Sequence, residues 1–140
     1  MTDREVDRGP GVSVQRVLAM TFDTGALIAL ERGDKRMRVV LDTANIDHVP
    51  VMVPAVVIAE WWRGGNRRRH DILAAIDIEP TTERIARLAG EAIAALAGAT
   101  VVDAIVMASA AQRGGIVYTS DVVDLDRLRS HFPAVRILRA

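Results

Sequence analysis

Short apolar runs alternate with helix-length amphipathic stretches along most of this chain, and that alternation restricts the fold more than any other feature. Residues 20–23 (Met-Thr-Phe-Asp) form a brief run that stops at an acid. Residues 24–33 follow, with Leu27, Ile28 and Leu30 at near-helical spacing and Gly33 as a stop signal. A second short helix is expected over 35–45, a strand over 49–53, and a helix over 54–63 with Pro54 in its first turn. After a break at Gly64-Gly65-Asn66 come a helix over 67–75 and a strand over 76–79, closed by Pro80. Thr81 is expected to cap the clearest helix, whose Ile85, Leu88, Ala92, Ile93 and Leu96 share one face and which ends at Gly98. A helix over 101–112, a strand over 116–119, a helix over 122–131 and a last strand over 135–138 complete the series. Strands separated by helices pair in parallel through right-handed crossovers. The expected class is therefore α/β, a parallel sheet with helices on both faces.

The 140 residues suit one domain. Residues 1–18 mix three acidic and three basic residues around Gly9-Pro10-Gly11 and read as a disordered tail, with Met20 as an alternative start. No run approaches the ~18 apolar residues of a membrane span, and no leader pattern is present, so a cytoplasmic location is expected. The chain has no cysteine, which removes disulfides, thiolate-bound zinc, iron–sulfur clusters and thiol catalysis. Eighteen basic residues balance eighteen acidic ones, which at first sight counts against a nucleic-acid partner.

Four acids stand out because each sits in apolar sequence. Asp23 ends the first strand, Glu60 lies on the helix after the second, Asp103 opens a helix, and Asp121 follows the fourth strand by two residues. Each has an ordinary reading alone. Asp23, Asp103 and Asp121 could cap helices, and Glu60 could pair with Arg63 one helical turn on. In open parallel sheets, however, sites form beyond the carboxyl ends of the strands, which would bring several of these acids together. Like charges at such proximity need a counter-ion. Oxygen donors without cysteine favour Mg²⁺ or Mn²⁺ over Zn²⁺, and phosphodiester hydrolysis is the chemistry that uses such a cluster.

Arg63, Arg67, Arg68 and Arg69 put four positive charges in seven residues, either a phosphate-contacting loop or a solvated charge run. Trp61 and Trp62 point about 100° apart on a helix; core positions are expected for both, the alternative being one in the core and the other exposed for RNA stacking or for an antitoxin helix. His48, His70 and His131 lack metal-ligand spacing and read as surface or structural residues.

The segments FDTGALIAL (22–30), VPAVVIAEWWRG (53–64), VVDAIVMASAAQRGGIVYTSD (101–121) and VVDLDRL (122–128) resemble, in this order, the PIN-domain ribonucleases, specifically the VapC-type toxins of bacterial toxin–antitoxin pairs. The resemblance implies a PIN domain over 19–140, a three-layer α/β/α sandwich with a five-strand parallel sheet in the order 3-2-1-4-5. It implies Asp23, Glu60, Asp103 and Asp121 as catalytic acids, with Asp23, Asp103 and Asp121 as metal ligands and Thr119 and Asp124 as supports. Gly25 departs from the pattern, since many members carry Ser or Asn there, and this would remove a polar contact but no ligand. The implied activity is a Mg²⁺-dependent endoribonuclease, with Mn²⁺ as an alternative ion. It would cut cellular RNA, tRNA or rRNA in particular, and so inhibit translation. The implied assembly is a homodimer, joined by a VapB-type antitoxin into a heterotetramer or larger complex.

Two other readings of the same residues compete with this one. A phosphoryl-accepting module of the receiver type would need an acid pair at the first strand and a late lysine, whereas the first strand has one acid and Lys35 is the only lysine. A non-catalytic PIN-like binding module would have little reason to keep all four acids. Neutral net charge becomes compatible with an RNA enzyme once bound cations are counted with the protein's own charges.

Overall fold

The structure, a computed structural model, describes residues 19–140, and the expected tail over 1–18 lies outside the described residues. The apolar runs become five strands: β1 (Met20–Phe22), β2 (Val51–Pro54), β3 (Asp77–Glu79), β4 (Ile116–Thr119) and β5 (Arg136–Arg139). All neighbours pair in parallel, in the order β3-β2-β1-β4-β5. That is the order implied by the resemblance, and it differs from the 2-1-3-4-5 order of receiver-type folds. Between the strands run α1 (Thr24–Glu31), α2 (Lys35–Ile46), α3 (Ala55–Trp61), α4 (Arg67–Ala74), α5 (Glu83–Ala95), α6 (Val101–Arg113) and α7 (Val122–Arg127). None of these helices is long and apolar enough to cross a membrane.

The central strands read as apolar runs because helices cover them on both faces. Phe22, Val53 and Val117 are fully buried, and Leu27, Val57, Val106, Met107 and Leu125 pack against the sheet from the helices. The edge strands are different. β3 (Asp-Ile-Glu) and β5 (Arg-Ile-Leu-Arg) carry charges at their ends, which discourages pairing with foreign strands. Helix α6 is the most deeply set, with Ala104 to Ala110 all buried. Thr100 caps its start, and Gly114 ends it in the left-handed region at φ 64°. Asp103, half-buried in the first turn of α6, stands just before this buried stretch and lines the cavity at the carboxyl edge of the sheet.

Several expected boundaries move by a residue or more. Thr82, not Thr81, caps α5: its hydroxyl accepts from the Ile85 amide at 3.2 Å. Pro54 is the last residue of β2 rather than part of the helix, because its ψ of 141° is extended and it pairs with Glu79. The helix expected over 122–131 stops at Arg127 and tightens into a 3₁₀ turn over Leu128–Ser130.

One polar clamp crosses the sheet. Arg113, at the end of α6, donates to the Glu79 carboxylate on β3 and, at 2.7 Å, to the Thr21 hydroxyl on β1. Replacing Arg113 with Met would leave a half-buried carboxylate and a buried hydroxyl without their donor. We expect a loss of about 2 kcal/mol in urea unfolding. His48 sits at φ 56°, a conformation unfavourable for a side chain. His48→Gly should raise stability by about 0.5–1 kcal/mol in the same measurement.

Candidate active site

The site begins where β1 runs out. Asp23 is only 4% exposed. Its Oδ1 accepts from the Thr24 amide at 2.8 Å, capping α1, and its Oδ2 accepts from the Thr119 hydroxyl at 2.9 Å. The same Thr119 oxygen accepts from the Asp121 amide at 2.9 Å. The amide occupies an acceptor position on the hydroxyl, so the hydroxyl proton is left to point at Asp23. Capping and site membership are therefore not alternatives for Asp23, which does both.

The other acids are freed from capping. Thr100 takes the cap of α6, its hydroxyl accepting from the Asp103 amide at 3.1 Å, so the Asp103 carboxylate is not needed as the cap. Asp121 occupies the cap position of α7 without making a side-chain cap bond. The expected pairing of Glu60 with Arg63 does not form between side chains. Arg63 donates to the Glu60 backbone carbonyl at 3.2 Å. The Glu60 carboxylate instead accepts from the Thr24 hydroxyl at 2.7 Å. Thr24 is a site residue that the sequence reading missed, and its one signal was a hydroxyl directly after a strand-end acid.

Asp23, Glu60, Asp103, Asp121 and Asp124 line one cavity of about 320 Å³ at the carboxyl edge of the sheet, and no basic side chain lines it. Burial is uneven. Asp23 is buried and Asp103 half-buried, whereas Glu60, Asp121 and Asp124 are exposed, so apolar flanking sequence predicted burial for only part of the set. Burial pushes the Asp23 carboxyl above its ordinary value, the Thr24 and Thr119 hydrogen bonds pull it back, and the charges of Glu60 and Asp121 add to the rise. Asp103 is pushed up to about 6, first by desolvation and then by the charge of Asp23, with Asp121 and Asp124 adding to it and Thr100 opposing.

Mutual repulsion of this kind is what a bound cation would relieve. The donors are all carboxylate or hydroxyl oxygen, a set that fits a hard divalent ion. Among the described residues, no three acidic or histidine side chains already stand as a coordination group. The acids face a shared space without closing on one point. A larger cavity of about 630 Å³, among α1, α2 and α4, mixes Lys35, Arg38 and Arg68 with Asp34 and Asp71 and gathers no such array. The chemistry, not the size, singles out the smaller one.

The arginine run divides. Arg69, expected among phosphate contacts, is instead held by Glu31 at 2.8 Å and by the Gly64 carbonyl at 2.7 Å, and is mostly covered. Its hydrogen bond, with that of Trp61, keeps the Glu31 carboxyl below its ordinary value. Arg68 donates to the Glu31 carbonyl at 2.7 Å but stays exposed, as do Arg63 and Arg67. Trp61 is the core member of its pair, and Trp62 is half-buried, edge-on to His70. Asp126 faces solvent beside Arg129.

No curated protein matches the sequence. Among solved structures, the chain is similar to one in the crystal structure of VapBC2 from Rickettsia felis bound to a DNA fragment from their promoter. The TM-score is 0.68 at 14% identity, over 87% of this chain and 98% of that one. It is also similar to a chain of a toxin–antitoxin complex from Klebsiella pneumoniae, with TM-score 0.59 at 19% identity over 84% and 95% of the two chains. A chain of FitAcB from Neisseria gonorrhoeae gives 0.60 at 18%, over 85% and 96%. At these identities the likeness is one of fold. The PIN domain family matches by sequence over residues 20–129, which include every acid of the cavity, and the chain belongs to that family.

Proposed function

We propose that this protein is a divalent-metal-dependent endoribonuclease and the toxin of a toxin–antitoxin pair. The observation that carries the reading is the convergence of five carboxylates, with no basic neighbour, on one cavity at the carboxyl edge of a parallel sheet. Asp23, Asp103 and Asp121 would hold Mg²⁺ or Mn²⁺. When bound, the ion polarises a phosphoryl oxygen and lowers the pKa of water. Thr119 orients Asp23 by donating to it and pulls its carboxyl back toward the ordinary value. Glu60, held by Thr24, takes the proton of the attacking water, and Asp124 adds negative charge at the rim. Exposed Arg63, Arg67 and Arg68, just beyond the Glu60 helix, would take phosphates of the RNA strand. Arg69 positions that loop.

The toxin role is drawn from the fold neighbours, two of which are described as toxin–antitoxin assemblies or carry their names. A VapB-type antitoxin, a homodimer, a heterotetramer with antitoxin, tRNA or rRNA as substrate and a cytoplasmic location belong to the same proposal.

Asp23→Asn should lower Mg²⁺-dependent RNA cleavage by at least about a thousandfold. Asn still caps helices well, so the fold should survive. Cleavage of RNA by this variant at the parental rate would refute the mechanism.

The pH dependence follows from Asp103. Its folded pKa, about 6, lies above the ordinary 3.8, so its contribution to stability is fully present below about pH 4. That contribution is lost as pH rises through 6. In chelator, the melting temperature of the parent minus that of Asp103→Asn should therefore fall between pH 4 and 6 and then level off. Added Mg²⁺ should reverse the fall at pH 7, because the ion binds the ionised form.

A further inference from the structure

A tight contact beside the acid cavity is made at a residue without a side chain. Gly25 is the second residue of α1 and has no positive φ, so its backbone does not demand glycine. Helix propensity argues the other way, favouring alanine by about 1 kcal/mol. Packing explains the choice. A Cβ at position 25 would stand 2.2 Å from the Ser120 hydroxyl oxygen, 2.6 Å from its Cβ and 2.7 Å from its backbone nitrogen. Ordinary contact requires roughly 3.5 Å, so any side chain at position 25 would drive this segment back by about 1 Å.

The segment is the one that carries the site. Ser120 lies between Thr119, which donates to Asp23, and Asp121, whose amide donates to Thr119. The loop after β4 is thus tied to Asp23 by hydrogen bonds and rests directly on the backbone of α1. The expectation that glycine at this position merely removes a polar contact needs correcting, because the Ser120 hydroxyl fills the space.

We propose that Gly25 is a positioning residue: its bare backbone lets the 119–121 loop close onto α1 and so sets the separation of Asp121 from Asp23 across the cavity. This rests on the reading of the cavity as a metal-dependent site.

The test compares Gly25→Ala, Ser120→Gly and the double variant with the parent. It uses Mn²⁺ titration followed by electron paramagnetic resonance, and hydrogen exchange of the Asp121 amide. Gly25→Ala should keep its circular dichroism spectrum, lose about tenfold in Mn²⁺ affinity and exchange the Asp121 amide about tenfold faster. Ser120→Gly alone should stay within about twofold of the parent. The double variant removes two of the three close contacts and should recover at least about threefold of the lost affinity. It should also fold if Gly25→Ala does not. Parental affinity and exchange in Gly25→Ala would overturn the proposal, and so would a double variant as impaired as the single one. A parent that binds no Mn²⁺ would refute the proposed function instead, and the exchange measurement would still decide the role of Gly25.

Discussion

A carboxylate buried at the end of a central strand has to be satisfied by its neighbours, and the geometry of this protein's carboxyl edge follows from how that is done. Asp23 is nearly enclosed, and it is held by the start of its own helix on one side and by Thr119 of the adjacent strand on the other. Parallel pairing of β1 with β4, with Phe22 opposite Tyr118, brings the two residues level. The hydroxyl then passes the constraint on to the Asp121 amide. Without β4 beside β1, Thr119 would not stand next to Asp23.

The price of this gathering is electrostatic. Asp103 is raised to about 6 first by burial and then by the charges of Asp23, Asp121 and Asp124. The protein gives that repulsion a stable frame. Asp103 is set at the mouth of a helix buried for seven consecutive residues, and Arg113 at the other end of the same helix ties β3 and β1 together. An array of like charges needs such a support, since the acids contribute nothing to holding one another in place.

Much of this was legible in the residues. The alternation of runs points to the α/β class, and the apolar sequence around Asp23, Glu60, Asp103 and Asp121 marks these four acids. The strand order came from the resemblance and not from periodicity, which says nothing about which strands are adjacent. What stayed hidden depended on contacts distant in sequence. The Thr24–Glu60 bond joins residues 36 apart, and Arg69 could not be told from its neighbours Arg67 and Arg68 until Glu31 was seen to claim it. The cap of α5 was misplaced by one residue because Thr81 and Thr82 are chemically identical, and only the backbone decides which hydroxyl reaches the Ile85 amide. Gly25 looked like a loss because the residue that fills its space lies 95 positions away.

The bond from Thr24 to Glu60 has a consequence for precision. Asp23 and Thr24 are consecutive, so Glu60 on α3 and Asp121 beyond β4 both take their position from one dipeptide. That dipeptide acts as a common datum. A displacement of the start of α1 would pull on Glu60 and Asp121 through these bonds, so their positions are coupled to that of Asp23. The distances from Asp23 to Glu60 and to Asp121 are thus set by short chains of hydrogen bonds rather than by the packing of whole helices alone.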